Sequence, residues 1–200
     1  MIPERIFGLI RDLQAVVYPT STLPALGCLP TNSALDNLFS IKKRPKDMPV
    51  SLGVASLDQA KSLVMIPDKA LSLQKNLPLG AITLVLPSCD SDLDYRLGRT
   101  HIAIRVFSHP VARELAKRVG PIVATSANIS GEESKIDCND AAMSLLLPEK
   151  HCISGLCKGG LASTFIKIDK KEDNDEWVAT VIREGIIPIE DVNEWWTNPT

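Results

Sequence analysis

Four short segments of this 200-residue chain carry polar side chains at a density that packing alone does not require. The first, Tyr18–Gly27 (YPTSTLPALG), ends an apolar run at Pro19 and presents the hydroxyls of Thr20, Ser21 and Thr22. Gly27 then permits a tight turn before the next helix. Ser and Thr also dominate ordinary turns, so this segment alone fits a turn as well as a site. The second, Lys42-Lys43-Arg44-Pro45, closes a helical stretch. Cations suit the negative end of a helix. Equally, with Pro45 stopping the helix, Lys42 and Arg44 could sit on a rigid turn as a phosphate clamp, Arg as a planar fork and Lys as a mobile point charge. The third, Ala124–Ser134 (ATSANISGEES), groups Thr125, Ser126, Asn128 and Ser130 ahead of Gly131. Hydroxyls, a carboxamide and backbone N–H groups in such a run can cradle phosphate or ribose. The chain has no GxxxxGK[ST], so any nucleotide is held by a design other than a P-loop. The fourth feature is the pair Arg105 and Arg183, set in IAIRVF and ATVIRE. Arg among β-branched residues is rarely buried without an anion. Arg105 either points to solvent on an alternating strand or, with Arg183, faces ligand carboxylates or phosphates.

Other chemistry is thinner. His101, His109 and His151 share no metal-ligand spacing, and His109 ahead of Pro110 reads as a helix-start residue. The acidic stretch Asp90–Asp94 lacks the glycine and terminal glutamate of a calcium loop and reads as solvated. No GxSxG elbow and no Ser-His-Asp arrangement can be read. Cys28, Cys89, Cys138, Cys152 and Cys157 fit neither a zinc ribbon nor CxxC and read as reduced core or surface thiols. Trp177, Trp195 and Trp196 read as packing anchors rather than base-stacking platforms.

The formal net charge is −2, so a polyanion must be met by a local cluster, and IKKRPK (Ile41–Lys46) is such a cluster. A hydrophobic fraction of 44% excludes a disordered or fibrous chain. No apolar run approaches the roughly 20 residues of a membrane span, and MIPERIFGLIRDLQ lacks the apolar centre of a signal peptide. A cytoplasmic protein without a membrane partner is the expectation.

Strands must position these segments. Period-two or continuous apolar runs predict strands at Ala15–Thr20, Val50–Ala55, Ala81–Pro87, His101–Phe107 and in PIVATSAN, where a strand runs into a polar turn. STFIKI and WVATVIRE read as a hairpin pair joined by the charged run Asp169–Glu176. Helical spacing places helices over residues 3–12, from Thr31–Ser33 through Ile41, from Leu57 to Val64 behind a Ser56 cap, after Pro67, over His109–Gly120 and Cys138–Leu147, and in IPIEDVNEWW. Strands alternate with helices and no linker intervenes. This predicts one α/β domain over residues 1–200 on a mixed, twisted β-sheet with flanking helices.

The four segments occur in the order found in a known family. In YPTSTLPALGC, IKKRPKDMPV, GAITLVLP, IAIRVFSHPVA, VATSANISG, LASTFIKI and VIREG, over about residues 14–187, the chain resembles the YrdC-like proteins. These are the L-threonylcarbamoyladenylate synthases that begin synthesis of threonylcarbamoyl-adenosine in tRNA. The KxR and SxN signatures, here Lys42-Lys43-Arg44 and Ser126-Ala127-Asn128, are specific when found together and in this order. The resemblance implies a concave, positively lined cleft and the short single-domain form. It implies ATP contacts at Lys42, Arg44, Ser126, Asn128, Ser134 and Arg183, with Lys42 and Arg44 stabilising charge during catalysis. It implies threonine contacts at Thr22, Arg105, Ala124 and Ser163. Departures from the family pattern cluster in the amino-acid half. Pro24 stands for a Tyr, Met48 and Gly53 occupy positions that carry Asn and His in some members, and His101 replaces a common Thr. In the PGP-x-T turn, only Gly80 and Thr83 are kept.

The implied chemistry condenses L-threonine, bicarbonate (or CO2) and ATP into threonylcarbamoyl-AMP and pyrophosphate. Mg2+ is expected to be held through the nucleotide. A tRNA threonylcarbamoyl transferase complex is expected to receive the adenylate, and direct tRNA contact is a further partner the resemblance allows. Two rival readings are a non-catalytic RNA-binding module using KKRPK and a paralogue that adenylates a different substrate.

Overall fold

Burial alternates along two strands at the centre of the molecule, and that alternation decides what faces the cleft. In the computed structural model, which describes residues 2–90, 92, 94–171 and 175–198, the elements run as follows. They are α1 (Glu4–Arg11), β1 (Val16–Tyr18), β2 (Ala25–Gly27), α2 (Asn32–Lys42), β3 (Leu52–Val54), α3 (Asp68–Asn76), β4 (Ile82–Pro87) and β5 (His101–Val106). There follow α4 (Pro110–Val119), β6 (Ile122–Val123), β7 (Thr125–Ser126), α5 (Cys138–Ser144), β8 (Thr164–Lys170), β9 (Trp177–Arg183) and α6 (Ile189–Thr197).

The expected mixed sheet is the larger of two. Its six strands lie in the order β6-β3-β5-β4-β8-β9. β3 runs parallel to β5 and β4 parallel to β8, while the other pairings are antiparallel. In β5, Ile102, Ile104 and Val106 are buried in the core while His101, Ala103 and Arg105 keep partial exposure. In β8, Thr164, Ile166 and Ile168 are buried while Phe165, Lys167 and Asp169 face the same side as Arg105. A period of two gives each strand one apolar and one functional face.

A three-stranded sheet, β1-β2-β7, adjoins the first. It accounts for two departures from the sequence reading. Gly27 does not make a turn before a helix; it lies inside β2, where a Cβ would come within 2.3 Å of the Val123 carbonyl and 2.7 Å of the Tyr18 ring. Close backbone approach is the demand that glycine meets there. PIVATSAN is not one strand: it splits at Ala124 into β6 and β7, which join different sheets. Ala124 is fixed at that corner, its N–H donating to the Ser51 carbonyl and its own carbonyl accepting from Ser51 Oγ.

The helix expected over Leu57–Val64 is only a 3-10 turn, Leu57–Ala60, because the Ser56 side chain caps nothing and Val64 is drawn into a bridge with Ser88. The helix from Cys138 stops at Ser144, ahead of Leu146 in a left-handed conformation (φ 56°). Pro67 is a cap residue just before α3 rather than its first residue. The hairpin pair is present as β8 and β9, while residues 172–174 of its charged connection lie outside the described residues. Residues 91 and 93 of the acidic loop do so as well. Trp177, Trp195 and Trp196 pack against the main core. All five cysteines are free thiols, four buried and Cys89 exposed. No described helix is long and apolar enough to cross a membrane.

Candidate active site: a cationic cleft on the mixed sheet

The exposed face of β5, β4 and β8 forms the floor of a cleft of ≈ 730 Å³. One wall comes from the Ala124–Ser126 corner, Ser134 and the Arg44–Ser51 segment; the other comes from Ala162, Ser163 and the end of β9.

At the closed end stands Arg105. Its Nε donates to the Gly80 carbonyl at 3.1 Å. One terminal nitrogen donates to the same carbonyl and to the hydroxyls of Ser21 and Thr22, at 2.9, 3.2 and 3.1 Å. Among the described residues the other terminal nitrogen has no protein partner, so one arm of a rigid donor fork is left for an anion. The guanidinium is not solvated as on an ordinary surface strand. Burial lowers its pKa, the Tyr18 hydroxyl works against that shift, and Arg183 adds to it. Such a group gains most from a carboxylate that replaces the water it has lost. Gly80 (φ 83°) lets its carbonyl meet Arg105, and a Cβ there would come within 2.5 Å of Ser108 Oγ and 2.9 Å of Ser21 Oγ. Ser163 is buried and shares a 2.7 Å hydrogen bond with Thr83. All four residues expected at threonine, Thr22, Arg105, Ala124 and Ser163, line this cleft.

The Lys-Lys-Arg-Pro segment behaves differently from a simple clamp. α2 ends at Lys42, Lys43 turns left-handed (φ 49°), and the Arg44 N–H returns to the Phe39 carbonyl at 3.0 Å. This reversal sends neighbouring cations in different directions. Lys42 is 1% exposed, and its ammonium donates to the carbonyls of Ser126 and Asn128 at 2.5 and 2.6 Å. Burial, then the nearby Arg44 charge, pull it down to about 8. Lys43 is exposed. Arg44 reaches the cleft wall, braced by the carbonyls of Met48 and Pro49 at 2.8 and 2.9 Å.

The loop that Lys42 grips is closed on itself. Ser126 Oγ donates to Asn128 Oδ1 at 2.5 Å, and Asn128 Nδ2 donates to the carbonyls of Ile129 and Glu132. The Ala127 N–H is anchored on the Pro24 carbonyl. Of the residues expected at ATP, Arg44, Ser126, Ser134 and Arg183 line the cleft, whereas Lys42 and Asn128 stand behind it as its framework. Arg183 sits over the Phe165 ring, its Cζ 4.0 Å from the centroid, and donates to the Ser163 carbonyl at 2.9 Å.

Ser51, Phe165, Lys167 and His101 also line the cleft, though they were not singled out as ligand contacts from sequence. For His101, Phe165 and Lys167 the signal is the period of two on the strands that carry Arg105 and STFIKI, which puts Lys167 on the Phe165 face; Ser51, ahead of β3, carries no such signal. Pro24 is part of the lining, while Gly53 contributes no side chain. The position of a Gly53 Cβ is filled by the Phe107 ring, whose Cζ lies 1.8 Å from it. Among the described residues, no three or more His, Cys, Asp or Glu side chains form a group able to hold a metal, and no carboxylate is part of the cleft lining.

The sequence profile of the Sua5/YciO/YrdC family, described as "Telomere recombination", matches residues 9–185. A threonylcarbamoyl-AMP synthase of Pyrococcus abyssi is 34% identical over 197 residues, 94% of this chain and 55% of its own length. One from Bacillus subtilis is 35% identical over 190 residues, 92% of this chain and 54% of its own. The chain thus spans about half the length of these curated relatives. The structure of P. abyssi Sua5 complexed with L-threonine superposes with a TM-score of 0.80 at 33% identity, over 97% of this chain and 58% of that one. A cleft built from the ordered segments of the sequence, a match across most of the chain and a shared fold converge: this chain belongs to the Sua5/YciO/YrdC family.

Proposed function

We propose that this chain is a nucleotidyltransferase that forms threonylcarbamoyl-AMP from L-threonine, bicarbonate and ATP. The observation that carries this reading is the free arm of Arg105, set beside the Thr22 and Ser163 hydroxyls at the closed end of a cleft that Arg44, Ser126 and Arg183 continue. Arg105 takes the carboxylate of threonine, and Thr22 and Ser163 face the rest of it, against the apolar Ala124.

The amine of threonine joins bicarbonate to give an N-carboxy group and water. An oxygen of that group attacks the α-phosphorus of ATP. The bond from phosphorus to the bridging oxygen of pyrophosphate breaks, and pyrophosphate leaves with the electron pair. No covalent enzyme intermediate is needed, so the protein supplies position and charge. Arg44 and Arg183 oppose the charge on the phosphates, Ser134 donates a hydrogen bond, Ser126 Oγ, whose proton goes to Asn128, accepts one from a ribose hydroxyl, and Lys42 with Asn128 holds the loop that carries Ser126. Among the described residues the cleft lining offers hydroxyls but no carboxylate, so Mg2+ would enter as the nucleotide complex. The mixed anhydride product calls for a second enzyme that moves the threonylcarbamoyl group to tRNA, in the cytoplasm where ATP and tRNA meet.

The test is pyrophosphate release from ATP with threonine and bicarbonate each omitted in turn. Release that needs both supports the reading; release indifferent to both, or none, removes it. A second reading, adenylation of a different amino acid, is favoured by Pro24 in the lining and by the Phe107 ring in the space beside Gly53. A panel of amino acids in the same assay decides it. The RNA-binding rival fits less well, because Lys42 is buried and Arg44 turns inward, leaving Lys43 and Lys46 of that cluster exposed.

A further inference from the structure

A triphosphate needs cations along its whole length, and the arrangement of lysines in this cleft was not what the KxR signature implied. The Lys42 ammonium is enclosed by two carbonyls, and Lys43 and Lys46 lie outside the cleft. Among the described residues, the lysine that lines the cleft is Lys167. It stands on β8 opposite Val85 of β4, which in turn faces Ala103 of β5. These short side chains leave the floor open in front of its ammonium.

Lys167 is held in readiness. Its ammonium lies 2.8 Å from one oxygen of Asp169, a carboxylate whose other oxygen is 2.5 Å from His101 Nε2. The Lys167 side chain is 37% exposed, so this pairing is partly solvated. Ion pairs of that kind contribute little and exchange readily for a better anion. Along the strands, Ala103 in the row of Lys167 lies two residues from Arg105, about 7 Å, and two strand spacings add about 10 Å across. Between them lies room for a carbamoylated threonine and an α-phosphate. Arg183 is paired with Phe165, two residues along β8 from Lys167.

We propose that Lys167 is a substrate-contacting residue that leaves Asp169 to receive the β- and γ-phosphates of ATP and the departing pyrophosphate. Asp169 keeps its bond to His101 as it does so. This inference rests on the reading of the cleft as an ATP site and assigns the polyphosphate end of that site.

The experiment uses the full chain with Lys167→Met and Lys167→Arg, each checked by thermal melting. Calorimetry measures binding of ATP, AMP and pyrophosphate, and pyrophosphate release gives the KM for ATP and for threonine. The expected result for Lys167→Met is a tenfold to hundredfold weaker affinity for ATP and pyrophosphate, about what one charge-assisted contact supplies. AMP affinity and the KM for threonine stay at wild-type values, and Lys167→Arg recovers most of the loss. Equal weakening of ATP and AMP, or unchanged ATP affinity in Lys167→Met while the wild-type chain releases pyrophosphate, overturns the assignment of Lys167 alone. A wild-type chain that binds neither nucleotide overturns the ATP site itself and Lys167 with it.

Discussion

Replacing Lys42 by Met separates two tasks that the KxR signature merges. Two energetic effects on folding oppose each other. The ammonium is held at about 8 instead of its ordinary 10.5. At about 1.4 kcal/mol per unit, the charged form is disfavoured by about 3 kcal/mol, which the thioether removes. Against this, the carbonyls of Ser126 and Asn128 lose their donors, and each buried carbonyl left unpaired costs about 1–3 kcal/mol. The two carbonyls together cost about 2–6 kcal/mol, so the terms partly cancel and Lys42→Met is expected to melt within about 10 °C of the wild type. Position does not cancel. The Ser126–Asn128 loop loses its tether to α2, and everything it offers a nucleotide shifts together. ATP and AMP should therefore weaken alike, by about tenfold to a hundredfold. Calorimetry with both nucleotides, beside thermal melting, reads this directly. Unchanged affinity in a natively melting variant would refute the tether. A loss confined to ATP would instead make Lys42 a direct contact to the outer phosphates.

The same lysine sets a pH dependence. Its folded pKa lies below its unfolded one, so the folded state sheds the proton first. Folding stability should rise with pH between about 8 and the ordinary lysine range, while nucleotide affinity falls as the tether loses its charge from about nine-tenths at pH 7 to about one-tenth at pH 9. Affinity titrated across that window should slope in the wild type and be flat in Lys42→Met. Arg105→Met should raise the KM for threonine by about a hundredfold and leave ATP binding intact, with Arg105→Lys failing to rescue because an ammonium cannot span the fork; steady-state kinetics with each substrate varied checks it. Gly53→Ala should destabilise the fold by about 1–3 kcal/mol or more. Its Cβ would overlap the Phe107 ring, which is buried edge-on against Tyr18 at 6.0 Å. Phe107→Leu in the same chain should recover part of that loss in urea unfolding.

What the sequence disclosed was governed by local pattern. β4, β5 and the β8–β9 pair were legible because they are short β-branched runs bounded by turn residues, with strict alternation in β5 and β8. The same alternation placed Arg105, and the ordered hydroxyls of Thr20–Thr22 pointed to the closed end of the cleft. The illegible parts depend on contacts distant in the chain. β2 is three residues beginning after Pro24, and it exists because β1 and β7 flank it. The strand break at Ala124 is imposed by Ser51, far off in sequence. Lys42 could not be separated from Arg44 by composition. A non-glycine residue, Lys43, adopts the left-handed turn and sends the two apart. Lys167 reads as one charge on a hairpin until strand register sets it opposite Val85.

Ala124 sits where the backbone passes from the six-stranded sheet to the three-stranded one, and the cleft straddles that seam. Arg105 belongs to the first sheet, whereas Thr22 lies between the two strands of the β1–β2 hairpin of the second. Across that seam Tyr18 Oη donates to the Val123 carbonyl and the Val123 N–H to the Cys28 carbonyl, both at 2.9 Å, while the bonds from Arg105 to Thr22 and Ser21 are longer, 3.1 and 3.2 Å. Under the proposed function, an amino acid gripped by both groups becomes one more rivet across that seam. The loaded cleft would then hold its two sheets together by one more set of contacts than the empty one.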